Sequence, residues 1–273
     1  MKAVRVSTHE GGTFDIGPLA LPTAHRAGTA DPAAYRRLAN GEMPKVNFGS
    51  QPSDVVRAIS LDDGPFTGLA SQPGALLTFV VSGDLMLTVA GCEPHPLQPG
   101  DILLTDGGSS SHVTLDVRND GRLVQINVPS DWPATGAEVQ QPGHFIPRKG
   151  APKLRRMYKG DDDKAYFTEF RELFPAARNE WSSPRPVVGF RMVGWKDGEM
   201  DWHPSVIGQL GFLSCGEMEI EVGGGGGAIE HLYAGDISLA EDTTGQGHIV
   251  RARGYIHVTN IVIEPKDLWP YQR

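Results

Sequence analysis

Cysteine is nearly missing from this chain. Cys92 and Cys215 are the two present in 273 residues, too few for a disulfide framework or a cysteine-based zinc site. No apolar run reaches membrane-spanning length, and the opening MKAVRVSTHEGG lacks the apolar core of a secretory leader. Basic charge is also short: the net charge is −8 and no basic stripe stands out, which argues against a nucleic-acid surface. These shortages lead to the expectation of a cytoplasmic protein that works on neither membranes nor nucleic acids. Helical signals are few. With Gly 34 and Pro 21, turns must be frequent and long helices rare. The best helix candidate is residues 31–41, where Asp31 can cap, Pro32 suits the first helical position and Gly41 can make the left-handed stop.

What is abundant is period-2 patterning. LLTFVV at 76–81 passes through Ser82-Gly83-Asp84 into LMLTV at 85–89, the signature of two short strands around a turn. The layout returns as LGFLSC at 210–215, Gly216-Glu217, then MEIEV at 218–222. Each copy is followed by a Gly-Asp pair, in LQPGDILLTD and in LYAGDISLAE. Beyond that the copies run on without gaps: SHVTLDVRNDGRLVQINVP at 111–129 lies against GHIVRARGYIHVTNIVIEP at 247–265. His112 then faces His248, and Pro129 faces Pro265. Identity is low but the landmarks keep one order, as in a duplicated β unit. Many short strands separated by Gly/Pro turns predict a sandwich or barrel in each half. The fold class is therefore all-β, with an amino-terminal domain over 1–130, a Pro-, Gly- and Lys/Arg-rich connector over 131–160, and a carboxy-terminal domain over 161–273. The five glycines at 223–227 suit a flexible hairpin tip. They do not suit a phosphate cradle, because neither a helix start nor a Lys-Ser/Thr pair follows.

Two stretches carry a family resemblance. GEMDWHPSVIGQ at 198–209, with Gly216 beyond it, resembles the first cupin motif, G-x5-H-x-H-x3–4-E-x6-G. Gly235-Asp236 followed by TTGQGH at 243–248 resembles the second, G-x5-P-x-G-x2-H-x3-N. The resemblance covers roughly 190–265 and extends more faintly over 68–129. It implies a bicupin, two jelly-roll-type β-barrels in one chain with few short helices, and it implies homodimers, which would also cover exposed sheet edges. In such proteins two histidines, a glutamate and the second-motif histidine hold one divalent metal. Carried over position by position, the first histidine is His203, the second position holds Ser205, the glutamate position holds Gln209, and the last histidine is His248. One residue is missing between Gly198 and His203, and Ala252 stands where the motif ends in Asn.

The implied metal set is thus His203, Gln209 and His248, for a divalent ion such as zinc, iron, manganese or nickel. With no anionic protein ligand, the ion would keep its full charge and favour a small anionic substrate, a carboxylate or enolate. Glu241 and Tyr255 are the candidate proton carriers. Glu241-Asp242 could supply a base if burial raised a pKa, although adjacent carboxylates in a turn are ordinarily solvated. Arg251 and Arg253 could hold a substrate carboxylate if they point inward, and are surface charge if they point outward. Trp202 and His257 are further substrate-binding candidates, Trp202 also reading as plain barrel wall. Carrying the spacing between Gly83 and Gly216 back into the first half lands on Ala70, Gln72 and Leu76, which form no metal set; His112 alone has a counterpart. Two functions remain open. One is a cupin metalloenzyme on a small metabolite, with proton-transfer chemistry favoured over oxygenation. The other is a metal-free module that binds a small molecule or serves as a scaffold.

Overall fold

The computed structural model describes residues 1–9, 11–21, 23–26, 51–69, 74–106, 112–133 and 150–263. The expected helix at 31–41, and Ala70 and Gln72, lie outside the described residues. The chain is built from strands and, among the described residues, holds no α-helix. In order these are β1 Ala3–Thr8, β2 Phe14–Pro18, β3 Thr23–Arg26, β4 Val55–Ser60, β5 Gly64–Phe66, β6 Ala75–Val89, β7 His95–Leu97, β8 Ile102–Thr105 and β9 Val113–Val128. There follow β10 Leu154–Lys159, β11 Ala165–Glu169, β12 Arg185–Pro186, β13 Gly189–His203, β14 Gln209–Val222, β15 Ile229–Tyr233, β16 Ile237–Ala240 and β17 His248–Val262. No helix of the described residues is long and apolar enough to cross a membrane.

The strands form two compact units. One holds β1, β2, β4 to β9 and β12; the other holds β3, β10, β11 and β13 to β17. Neither unit is a continuous stretch, since β3 precedes most of the first unit in sequence and β12 follows it. Leu154–Lys159, part of the connector by composition, is a sheet strand of the second unit, paired in parallel with β16.

The duplication read from the sequence is present as topology, but one residue out of the gap-free alignment: Val89 pairs with Val113 and Val222 with His248, so the counterpart of His248 is Val113, not His112. The first sheet runs β2-β1-β8-β6-β9-β4-β12 and the second runs β11-β10-β16-β14-β17-β13-β3. In both, the second strand pairs in parallel with the third. The orders match strand for strand, but the last joint differs: β12 is antiparallel to β4, whereas β3 is parallel to β13.

In each unit two long strands pair along their whole length and turn a corner part-way. The β6–β9 register slips between Val80 and Asp84, and the β14–β17 register between Leu213 and Glu217. Bulges of this sort bend a strand and raise its twist. Gly83 and Gly216 sit at the two corners with φ of +90° and +78°, and a Cβ on Gly216 would run into the Tyr255 carbonyl. That explains the SG and CG landmarks. The Gly-Asp landmarks have a separate cause. Asp236, wholly buried, accepts N–H bonds from Lys153 and Tyr233, both at 2.8 Å. Asp101 does the same for Lys2 and Gln98. Each aspartate ties the start of one strand to the turn before another.

Apolar side chains from both arms of the bent strands meet between them. In the second unit these include Trp195, Leu213, Met218, Ile220, Val250 and Val258. Burying each large side chain stabilises the unit by about 1.5–3 kcal/mol. The glycine run closes the β14–β15 hairpin with a single 3-10 turn at Gly224–Gly226.

Candidate functional site in the second unit

Two strand ends build the site. β13 stops at His203 because Pro204 has no N–H to continue the ladder. β17 starts at His248, after the turn that follows β16. The two histidines are register partners. Gly247, at φ +74°, makes this possible: a Cβ there would run into the His203 carbonyl. The polar, Gly-punctuated turn therefore brings His248 against His203. Their ring centres are 4.7 Å apart at 49°, and both residues are buried.

Each ring is oriented by a second group. His203 Nδ1 lies 2.7 Å from the Asp201 carbonyl oxygen, which can only accept, so Nδ1 carries the proton. His248 Nδ1 lies 2.6 Å from Asp242 Oδ2. Asp242 is fully buried. Its other oxygen accepts from the Ser205 hydroxyl at 3.0 Å, and its carbonyl accepts from the Ser205 N–H at 3.1 Å. Ser205 thus clamps the turn that carries Asp242. From the Glu241-Asp242 doublet sequence reasoning took Glu241 as the proton carrier and gave Asp242 no role beside His248. Its spacing from His248, across a Gly-rich turn, is the signal that could have found it.

Above the pair opens a cavity of about 220 Å³. Its walls are mainly apolar, with Met157, Val193, Trp195, Met218, Ile220 and Val258 among them, and its polar groups are Arg191, His203, Ser205, Gln209, Ser238, His248 and Asn260. No carboxylate, tyrosine or lysine is among the lining residues. His203, Gln209 and His248 therefore share one cavity, but Gln209 Oε1 accepts from Arg191 Nη2 at 2.7 Å. The amide faces a guanidinium, a poor neighbour for a metal cation. Arg191 itself, pushed below the usual arginine pKa by burial, escaped sequence reasoning because it precedes the motif and only the fold returns it to Gln209.

The other expected site residues do not line the cavity. On β17, His248, Val250, Ile256, Val258 and Asn260 turn inward, so the alternation of side chains sends Arg251, Arg253, Tyr255 and His257 to the other face. Arg251 is held there by Glu199 at 2.6 Å and Glu221 at 2.8 Å, with Glu219 also bonded, and Arg253 reaches Glu219 at 3.3 Å. The outward alternative for these arginines is the one observed. Tyr255 and His257 fall away from the cavity with them. Trp202 is not among the lining residues; it falls in the register break between Met200 and His203, both of which do line the cavity. Glu241 is occupied by an ion pair with Arg156. Burial raises the Glu241 carboxyl above its ordinary pKa despite that pairing. In the first unit Leu76 is buried and His112 is exposed, its ring 4.7 Å from that of Phe14.

Whether these residues fit a metal turns on the imidazole pair. With Nδ1 of each ring engaged, Nε2 is the nitrogen that each can offer to an ion, and the partners that fix the tautomer are those common around metal-ligating histidines. A ring spacing of 4.7 Å suits one shared ion with ordinary metal–nitrogen bonds of about 2.1 Å. The fit is with two protein ligands. Among the described residues no group of three His, Cys, Asp or Glu side chains could hold a metal.

No protein-family model matches the chain, and no curated protein sequence matches it. Solved structures do. A cupin 2 conserved barrel domain protein from Leptotrichia buccalis is 14% identical, covering 78% of this chain and 85% of its own, with a TM-score of 0.39. A protein of unknown function of the DUF861 family from Pseudomonas syringae pv. tomato is 14% identical over 96% of this chain and 100% of its own, at 0.36. Oxalate decarboxylase from Lactobacillus farciminis, solved as a formate complex, is 13% identical over 78% of each chain, at 0.29. These are likenesses at low identity and leave the reaction aside.

The fold is all-β, with one strand order used twice.

Set against the two cupin motifs that the sequence resembles, the second unit has a histidine in each, with Ser205 and Gln209 at the two positions between.

Proposed function

We propose that the second unit is a metal-dependent cupin enzyme acting on a small anionic metabolite, by proton transfer (isomerisation, cyclisation or elimination) rather than oxygenation. The observation that carries this reading is the buried His203–His248 pair, each ring oriented through Nδ1, at the base of a mainly apolar cavity. A divalent ion on the two Nε2 atoms would polarise a carbonyl and stabilise an enolate. The chain's own groups prepare the cavity for it. Apolar walls exclude water and strengthen polar contacts inside, Asp201 and Asp242 hold the imidazoles in one tautomer, and Arg191 gives the cavity its positive charge.

A second reading is a metal-free binder of small molecules. It is favoured by Ser205 at the second-histidine position and by the Gln209–Arg191 bond, which leave two protein ligands for an ion. Metal analysis of protein purified without chelators separates the two. The first reading expects a divalent ion that is lost in His203→Ala and in His248→Ala. Unchanged metal content in both variants would remove the proposed centre. Thermal stabilisation by small carboxylates in fully metal-free protein would support the second reading, since a ligand of the native state raises the melting temperature by mass action.

A further inference from the structure

The duplication gives the second unit an internal control. In the first unit Arg57 is the register partner of Gln125, and Gln125 is also the partner of Thr78, which in turn pairs with Leu103. In the second unit Arg191 is the partner of Asn260, Asn260 also of Gly211, and Gly211 of Ser238. The matched strand orders therefore set Arg57 against Arg191, Gln125 against Asn260, Thr78 against Gly211 and Leu103 against Ser238.

One arginine position thus occurs twice, in different company. In the first unit it is consumed by the fold. Arg57 Nε donates to Gln125 Oε1 at 2.9 Å, and the guanidinium carbon sits 4.2 Å from the centre of the Trp181 ring. Gln125 Nε2 donates to Thr78 Oγ1 at 2.9 Å and to the Leu69 carbonyl, and the Trp181 indole donates to the Gly68 carbonyl at 2.9 Å. In the second unit the three matched positions carry smaller side chains, with glutamine replaced by asparagine, threonine by glycine and leucine by serine, and Arg191 bonds Gln209 instead. Ser238 Oγ and Asn260 Oδ1 occupy the space a Cβ on Gly211 would need. Arg191, Gln209, Ser238 and Asn260 all line the cavity.

We propose that Arg191, with Gln209 and Asn260 beside it, seats the carboxylate of the cavity's ligand, and that this ligand is a small organic acid with an apolar body. A guanidinium offers five N–H donors in a planar fork that matches a carboxylate, and Gln209 shares in the contact from the side. Asn260 supplies an amide for the remaining lone pair. Met157, Val193, Met218, Ile220 and Val258 accept the hydrocarbon, and the imidazole pair lines the same cavity. The acid is thus held by the protein, leaving any metal-bound position to the reacting group. The inference rests on the proposed function in taking this cavity as the ligand site.

The test is calorimetric titration of the full chain with straight-chain monocarboxylates of roughly four to eight carbons and with their primary amides, before and after metal removal. Wild-type protein should bind the acid over its amide. Arg191→Met should weaken the acid by roughly ten- to a hundred-fold, the value of a charged hydrogen bond, and bring acid and amide level. Arg191→Lys, which keeps the charge and loses the fork, should fall between. Wild-type protein that binds no acid, or that shows no preference over the amide, overturns the proposal without needing a variant; so does Arg191→Met with the preference intact. Metal content is read separately. Loss of the metal reading with the acid preference retained sinks the enzyme and leaves the carboxylate seat standing.

Discussion

Asp242 Oδ2 stands 2.6 Å from His248 Nδ1, and neither residue has appreciable contact with solvent. No carboxylate is among the cavity's lining residues, and this one lies behind the imidazole. It makes His248 a stronger donor and holds it still. Asp242→Asn should therefore lower divalent-metal affinity by roughly ten- to a hundred-fold while Ser205 keeps the turn closed. Competition against a chromogenic chelator reads this directly. Affinity equal to wild type would reduce Asp242 to a structural role.

Gly247 is required by contact as well as by conformation. Gly247→Ala should cost roughly 2–4 kcal/mol and separate the His203 and His248 strand ends. Gly226→Ala makes the comparison, since Gly226 also has positive φ but nothing near its missing Cβ; it should cost about 1–2 kcal/mol and leave metal content alone. Equal effects on metal content from the two substitutions would contradict the contact argument.

Glu230 predicts a pH dependence. Burial raises its carboxyl pKa, but Lys153 and Arg155, each at 2.7 Å, outweigh it and the pKa is lowered from 4.5. A lowered folded pKa contributes stability that is present above the unfolded value and lost as pH falls through the folded one. Glu230→Gln should thus be less stable than wild type at neutral pH, with the gap closing in acid. Denaturant midpoints measured across that range check it. A gap that stays constant would mean the pairing contributes nothing.

Arg251 is fixed on the outer face by three glutamates. Arg251→Ala should lower stability by about 1 kcal/mol, through repulsion among the carboxylates left behind, without altering acid binding in the cavity. A loss of acid affinity comparable to that of Arg191→Met would place the wrong arginine in the site.

Much of this architecture was legible in the sequence because its landmarks have local causes. The Ser-Gly and Cys-Gly pairs mark corners where positive φ is needed, the Gly-Asp pairs mark turns whose aspartate caps a neighbouring strand start, and the second-half histidines end and begin paired strands. Their spacing survives where identity does not. The site was less legible because its chemistry is set across strands. Arg191 meets Gln209 only through sheet pairing, and the inward or outward sense of Arg251 and Tyr255 depends on bulges that period-2 counting cannot place. Glu241 and Asp242 show the limit best. They are adjacent in sequence, yet one joins Arg156 and the other His248.

The interleaving of β3 and β12 bears on how the chain can be dissected. A fragment cut at residue 130 would carry away a strand that belongs beside β13 and forfeit the one that completes β4. Each piece would then be left with a raw border and an orphaned ribbon, an invitation to clumping. Two matching modules whose stretches alternate along the chain in this way make poor candidates for shuffling, because no single cut frees either one whole.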